Sequence, residues 1–484
     1  MTDYEARLRE VEREIIARRP EHSIEPSLDR IRALTGLLGD PQQAYPVIHL
    51  TGTNGKTSTA RMTETLLRAR GLRTGLFTSP HLTSIRERIC VDGEPLSAER
   101  FVGAYEEVLP YLALVDESQP ASLSFFEVLT AMAFAVFADA PVDVAVIEVG
   151  VGGTWDCTNV ADGAVAVITP ISIDHVRYLG NTVTAIATDK AGIIKPDAVA
   201  VLAQQPVEAA EVLLRRVAEV GATVAREGIE FGVTSRQLAV GGQLLSVRGL
   251  RGYYEDLFLP LFGAYQAGNA ACALAAVEAF AGASSTGEQD STTDEPAALD
   301  DGLVRDAFRM MSSPGRLEIV RRSPVTIVDA AHNPAGMAAT VAALGEAFAA
   351  TDLIAILAVS EDKDVPAILD ELEPVVSELV VTGNSSSRSA DPAKLAELAS
   401  AVFGPDRVRA VPRLDDAIEL GVGLADEADA RAGTGTGVPG AALVLITGSV
   451  VTAGDARLLL TRSTPGEPSP GPASAPSDEI GDEA

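Results

Sequence analysis

The sequence predicts an α/β protein made of two unequal units, each a mostly parallel sheet covered by helices. Three observations carry that prediction. Short apolar runs of strand length recur along the chain, helical stretches separate them, and the same alternation starts again after Gly302. At 484 residues the chain exceeds what one ordinary core holds. Apolar strands alternating with helices are the pattern of a parallel sheet buried on both faces.

Val47-Ile48-His49-Leu50 is a short apolar run ending at a glycine-rich turn. Ser58 to Arg70 then reads as an amphipathic helix, with Met62, Leu66 and Leu67 on one face and Gly71 as its stop. Strand-like runs follow at Thr74–Phe77, Val142–Val149, Ala164–Thr169 and Ala198–Leu202, and Phe125–Ala138 is the clearest helix among them. These form the N-terminal domain, assigned residues 1–300. Phe231–Leu261 is rich in glycine and short β-prone runs, and the low-complexity run Ala281–Pro296 predicts a disordered surface insertion. The C-terminal domain, 301–462, is smaller and Rossmann-like, with strands at Val325–Val328, Leu353–Ala358, Glu378–Val381 and Ala442–Ile446. The Pro/Ser/Glu-rich stretch 463–484 predicts a disordered tail.

Hydrophobic residues at 46% and charged residues at 22% match a soluble globular protein. Met1–Arg19 has no apolar core, so no signal peptide is expected there. Val142–Val149 is far shorter than the ~20 residues of a membrane span, so no membrane partner is expected. Cys90, Cys157 and Cys272 show neither metal-ligand spacing nor a disulfide framework, which points to a reduced cytoplasm. A formal net charge of −30 argues against a nucleic-acid partner. Nothing in the sequence calls for a second copy, and a monomer is expected.

Lysine usage is selective. Of the 38 basic residues, five are lysines: Lys56, Lys190, Lys195, Lys363 and Lys394. A position that keeps lysine in an arginine-rich chain suggests a need for a compact ammonium or a reactive amine, although codon bias gives the same pattern.

Thr51-Gly52-Thr53-Asn54-Gly55-Lys56-Thr57-Ser58 lies between a strand and a helix, the context of a real phosphate loop. Small residues let backbone N–H groups curl around phosphate oxygens at the positive end of a helix. Lys56 would reach the β- and γ-phosphates, and Thr57 or Ser58 would offer a hydroxyl to a metal or phosphate. The cradle is shorter than G-x-x-x-x-G-K-[ST], since Leu50 stands five residues before Gly55. Glu148 closes an apolar strand, the position of a magnesium ligand facing a phosphate loop. A salt-bridge or capping glutamate is the plainer reading. Asp174-His175 and Ser79 also follow strands, so His175 and Ser79 fall at the same end of the sheet as Glu148. In the second half, Asp329-Ala330-Ala331-His332-Asn333-Pro334 repeats the strand-then-polar-turn pattern, and Arg316 just before it suits a γ-phosphate.

These segments together resemble the Mur ligase superfamily, and within it the folylpolyglutamate synthases, which in many bacteria are also dihydrofolate synthases. The resemblance spans roughly residues 25 to 460. It is carried by the phosphate loop, Thr78-Ser79-Pro80-His81-Leu82, Ile147-Glu148-Val149-Gly150, Asp156-Cys157-Thr158-Asn159, Asp174-His175, Lys190-Ala191-Gly192-Ile193-Ile194, Pro314-Gly315-Arg316-Leu317-Glu318 and Asp329–Pro334. It implies ATP and Mg2+ as cofactors, with Ser79, Glu148 and His175 on one magnesium ion and a carbamylated Lys190 on a second. It further implies nucleotide contacts from Asn269, Arg316, Asp329 and His332, and substrate contacts from Pro80, His81 and Asp156. Catalytic roles then fall to Lys56, His175, Lys190 and Arg316. Thr154 stands where many bifunctional members have arginine, and Asp189 where glutamate commonly precedes the lysine.

The implied reaction joins L-glutamate to folate, and also to dihydropteroate, through an acyl phosphate. Rival readings are a Mur-type ligase acting on a cell-wall precursor, a non-catalytic P-loop nucleotide switch, and an amino-acid polymerase that would need further domains.

Overall fold

The computed structural model describes residues 3–20, 25–284, 298–431 and 442–462. Beyond Ser284 the low-complexity run lies outside the described residues, and so does the tail 463–484; Ala281–Ser284 closes the helix Ala264–Ser284.

Among the described residues the first sheet has eight strands. Their spatial order is Glu94–Pro95, Ile89–Val91, Thr74–Phe77, Val144–Glu148, Val47–Thr51, Gly163–Ile168, Val199–Leu202 and Thr223–Arg226. The pairs from Thr74–Phe77 onward are parallel, and the two short strands at the first edge are antiparallel. The central strands are buried along their whole length, which is why they read as continuous apolar runs. Strand order reverses beside Val47–Thr51. Its chain continues toward Thr74–Phe77 on one side, and the later strands Gly163–Ile168 and Val199–Leu202 lie on the other. A crevice therefore opens at the carboxyl ends of these strands, where open α/β sheets bind ligands.

Helix Lys56–Ala69 covers one face of this sheet and packs against helix Ala264–Ser284. The second helix carries Ala270, Ala271, Ala273, Ala275 and Ala276 at full burial, and such small side chains allow close approach. The β-prone region folds as a separate antiparallel sheet of Gly232–Ala239, Gly242–Arg248 and Tyr253–Leu259. Helix Asp301–Met310 packs Val304, Ala307 and Phe308 into the same core as helix Lys56–Ala69.

The second large sheet has, among the described residues, six strands in the order Glu318–Arg322, Val325–Val328, Ala442–Thr447, Asp352–Leu357, Glu378–Val381 and Val408–Ala410. All pairs are parallel except the first. The polar edge strands Glu318–Arg322 and Val408–Ala410 lack the apolar signature of the central ones. Cys90, Cys157 and Cys272 are free and buried. Among the described residues, no helix is long and apolar enough to cross a membrane.

Candidate active site

The strand Val47–Thr51 runs into Gly52-Thr53-Asn54-Gly55, and helix Lys56–Ala69 begins directly after. Gly52 has φ 149°, and a Cβ there would stand 1.9 Å from Thr169 Oγ1. Gly55 has φ 88°, and its Cβ would meet Asn269 Oδ1 at 2.5 Å. Neither position has space or backbone freedom for a side chain, so the loop lies flat between a strand end and Asn269. The N–H groups of Lys56, Thr57 and Ser58 open the helix and have no intrahelical acceptor, which leaves them for an anion.

Lys56 folds back on its own loop, with Nζ donating to the carbonyls of Gly52 at 3.3 Å and Thr53 at 3.2 Å. Burial holds its ammonium below the ordinary lysine range, against the pull of Glu148 and Asp174. Thr57 Oγ1 donates to Glu148 Oε1 at 2.9 Å, and the Ser79 N–H donates to Glu148 Oε2 at 3.2 Å. Glu148 is buried, which raises its pKa, while Lys56 and those two hydrogen bonds pull it down. Ser58 points elsewhere. Its Oγ is 2.8 Å from Ser313 Oγ, and both side chains are buried. Of the two hydroxyls offered by the loop, Thr57 stands at the carboxylate. Ser58 instead ties the helix to the segment that leads to Arg316.

Lys190, at 4% exposure, donates from Nζ to the Gly52 carbonyl at 2.7 Å. Two lysines therefore converge on one loop carbonyl. Burial and the charge of Lys56 bring the Lys190 pKa down to about 7, although Asp189 and Asp174 oppose this. A large share of its amine is neutral at neutral pH.

Asp174, named in the sequence only as the neighbour of His175, is a hub. Its Oδ1 accepts from Lys363 Nζ at 2.6 Å, its Oδ2 accepts from Asn333 Nδ2 at 3.0 Å, and His332 Nε2 lies 3.5 Å from Oδ2. Lys363, Asn333 and His332 all come from the second half of the chain. Desolvation pushes the Asp174 pKa up, but the His332 hydrogen bond and the Lys363 charge carry it well below the usual carboxylate range. His175 is exposed as a residue, with φ 50°. Its ring is nonetheless desolvated, and Lys363, Lys56 and His332 add to that effect against Asp174, holding its pKa at about 4. The imidazole is neutral at pH 7, the form that ligates metals.

The second half also shapes the Arg316 turn. Leu317 lies in the left-handed region at φ 46°, and its N–H donates to Asp329 Oδ2 at 2.9 Å. Asp329 Oδ1 accepts from Ala331 N and Thr340 Oγ1, both at 2.9 Å. The Asp329 carboxylate thus braces the turn. The Arg316 charge is near enough to lower the pKa values of both Lys56 and Glu148. His332 holds the Ala330 carbonyl through Nδ1 at 3.0 Å.

The oxygens of Glu148 and Thr57 are hard donors side by side, and Ser79 meets the same carboxylate through its N–H. Magnesium in phosphate sites uses one or two carboxylates, with substrate phosphates and water completing its shell, so these residues fit it. Among the described residues, no three His, Cys, Asp or Glu side chains cluster to hold a metal without such help.

Pro80 and His81 follow the strand Thr74–Phe77. His81 Nδ1 accepts from Arg88 Nε at 2.9 Å, and Arg88 lies 5.0 Å from the Phe125 ring centroid. The next residue, Leu82, packs on the second half's core. Asp156 lies apart from this group. It lines a pocket with Arg19, Arg30, Phe126, Trp155 and Cys157, and burial raises its carboxyl pKa.

Comparisons with known proteins identify the family. Residues 50–277 match the Mur ligase middle domain, and residues 315–449 match the Mur ligase glutamate ligase domain. The chain is 50% identical over 470 residues to a dihydrofolate synthase/folylpolyglutamate synthase of Mycobacterium tuberculosis, covering 94% of each chain. A solved structure of Mycobacterium tuberculosis folylpolyglutamate synthase complexed with ADP superposes with a TM-score of 0.88 at 50% identity, covering 95% of this chain and 100% of that one. An FPGS–AMPPCP–folate complex gives a TM-score of 0.76 at 31% identity, covering 94% and 100%. The chain belongs to the Mur ligase family and, within it, to the dihydrofolate synthase/folylpolyglutamate synthase family.

Proposed function

We propose that this ATP-dependent ligase joins L-glutamate to folate through an acyl phosphate, and that it accepts dihydropteroate as well. The carrying observation is the convergence of Lys56 and Lys190 on the Gly52 carbonyl, with Glu148 beside them and Arg316 reaching in from the other half. Attack of a carboxylate on a triphosphate brings two anions together, and fixed cations stabilise the charge that develops. In a chain of net charge −30 that positive field has to be local.

The substrate carboxylate oxygen attacks the γ-phosphorus and ADP leaves. The glutamate amine then adds to the acyl carbon and phosphate departs, completing the amide. In this reading the loop N–H groups and Lys56 hold the β- and γ-phosphates, and Asn269 abuts the loop at Gly55. Arg316 neutralises the γ-phosphate when the halves close, and closure keeps water from the acyl phosphate. Magnesium, held by Glu148, Ser79 and His175 with Thr57 nearby, would supply charge neutralisation at the phosphates. The near-neutral amine of Lys190 suits carbamylation, since the neutral form attacks carbon dioxide, and the carbamate would serve a second metal. His332 lies at Asp174, and Asp329 braces the Arg316 turn, so both are assigned to the nucleotide side. Pro80, His81 and Asp156 are assigned to the folate or pteroate substrate. The chain works as a cytoplasmic monomer, and it changes domain after Met311 rather than at residue 300, because helix Asp301–Met310 shares the first core.

A nucleotide switch gives no reason for a second half that brings Arg316 near Lys56 and Glu148 and sets Lys363 and His332 on Asp174. Product analysis by mass spectrometry tests the proposal. Folate substrate, ATP and glutamate should yield a product one glutamyl residue heavier. A muropeptide acceptor extended in its place would overturn the folate assignment.

A further inference from the structure

We propose that His49 is a positioning residue for the acceptor pocket, acting through the Thr158 hydroxyl to hold the Asp156 carboxylate toward the acceptor. This rests on the reading that Asp156 faces the folate or pteroate ring. His49 lies on the strand Val47–Thr51, fully buried, with Nε2 2.9 Å from Thr158 Oγ1. Thr158 Oγ1 donates to Asp156 Oδ1 at 2.6 Å. A threonine hydroxyl has one proton. With that proton on Asp156, the oxygen accepts from His49, so the histidine carries its hydrogen on Nε2.

His49 Nδ1 is then a bare acceptor, buried with no partner among the described residues. Burial, followed by the charge of Lys195, pushes the imidazole pKa down to about 3, so the ring stays neutral and has this one N–H to give. An unpaired buried acceptor is unfavourable, and a leucine in the same space would avoid it. Gly163 makes the room, since a Cβ there would stand 3.0 Å from the His49 Cβ. The gain that offsets the orphan nitrogen is the donor to Thr158. The carboxylate also accepts from the Thr158 N–H on Oδ1 and the Val151 N–H on Oδ2, both at 3.0 Å, and from the Gly150 backbone. Backbone donors fix where the carboxylate sits. The anchored hydroxyl adds a second, shorter bond on Oδ1 and narrows the residual rotation, which sets the angle offered to ring N–H groups in the pocket.

The test uses the purified full chain with H49L, H49Q, T158V, the H49L/T158V double variant and D156N. KM for dihydropteroate and for ATP, kcat and the melting temperature are measured for each. H49L should raise the dihydropteroate KM several-fold and up to about tenfold, the scale of one neutral hydrogen bond. It should leave the ATP KM unchanged and not lower the melting temperature. H49Q places an amide N–H where Nε2 was and should restore most of the KM. T158V should match H49L, and the double variant should be no worse than either single one. A lowered melting temperature with unchanged KM in H49L and T158V would show a merely structural role and overturn the proposal. So would equal losses for ATP and acceptor. If D156N leaves the acceptor KM unchanged, the reading of Asp156 fails and the relay falls with it. If D156N raises it while H49L and T158V do not, the relay alone fails.

Discussion

The side-chain amides of Asn54 and Asn333 face each other in a reciprocal pair. Asn54 Nδ2 donates to Asn333 Oδ1 at 3.2 Å, and Asn333 Nδ2 donates to Asn54 Oδ1 at 3.1 Å. One partner belongs to the phosphate loop. The other caps helix Pro334–Ala347 by accepting from Gly336 N at 2.8 Å, and it also reaches Asp174. The loop is therefore joined side chain to side chain with the half of the chain that carries Arg316.

Asn54→Ala and Asn333→Ala separate the bridge from the cap. Both should lower kcat for glutamate-dependent ATP turnover by about tenfold, as expected for losing a hydrogen-bonded pair that orients the site. Only Asn333→Ala should also lose roughly 1 kcal/mol of stability, because it removes an N-cap. Denaturant titration and steady-state kinetics check this together, and equal destabilisation by the two variants would count against it.

Arg316→Ala should lower kcat far more than it weakens ATP binding. On the proposed reading the guanidinium approaches the phosphates from the second half, and its contribution grows as charge develops. Nucleotide titration by calorimetry, compared with turnover, distinguishes this from a simple binding role. Equal losses in both would contradict it.

Lys190 predicts a dependence on dissolved carbon dioxide and on pH. Its depressed pKa of about 7 means that the reactive neutral amine is plentiful above pH 7 and scarce below it. Enzyme depleted of carbon dioxide should lose activity and regain it on adding bicarbonate, faster at pH 8 than at pH 6. Lys190→Arg should be inactive and not respond. A 13C-bicarbonate NMR signal present in the native chain and absent in Lys190→Arg would mark the carbamate directly.

The Lys363–Asp174 pair makes the junction of the halves insensitive to moderate acid. The Asp174 pKa is lower in the folded chain than in the unfolded one. Its stabilisation is therefore complete above the unfolded value of about 4 and is lost as pH falls through the lower folded value. Stability measured between pH 5 and 8 should show no loss from this group. Lys363→Met leaves Asp174 with a weaker set of partners, so the native chain's advantage over this variant should be constant from pH 5 to 8. An advantage that vanishes by pH 5 would contradict the assignment.

The central strands and the phosphate loop were legible because each is local. Val144–Glu148 is apolar throughout and ends on Glu148, and Gly52 to Lys56 sits where a strand meets a helix. Asp174, Lys363 and Asn333 were not legible as a group. Their pairings span 189 and 159 residues, and nothing in local spacing records a contact made only when two sheets come together. Retention of lysine at position 363 and the motifs Asp174-His175 and Asp329–Pro334 were the signals available, but none of them records the pairing. The orientation of Ser58 toward Ser313 was hidden for the same reason, as was the sharing of helix Asp301–Met310 with the first core. Phe231–Leu261 showed its β-propensity but not its separate antiparallel pairing, which depends on register.

The most direct test is magnesium-dependent ADP release with ATP, L-glutamate and either tetrahydrofolate or dihydropteroate supplied separately. Release should require glutamate and an acceptor together, and it should fall to background without magnesium. Release with neither acceptor, or release independent of glutamate, would contradict folate–glutamate ligation.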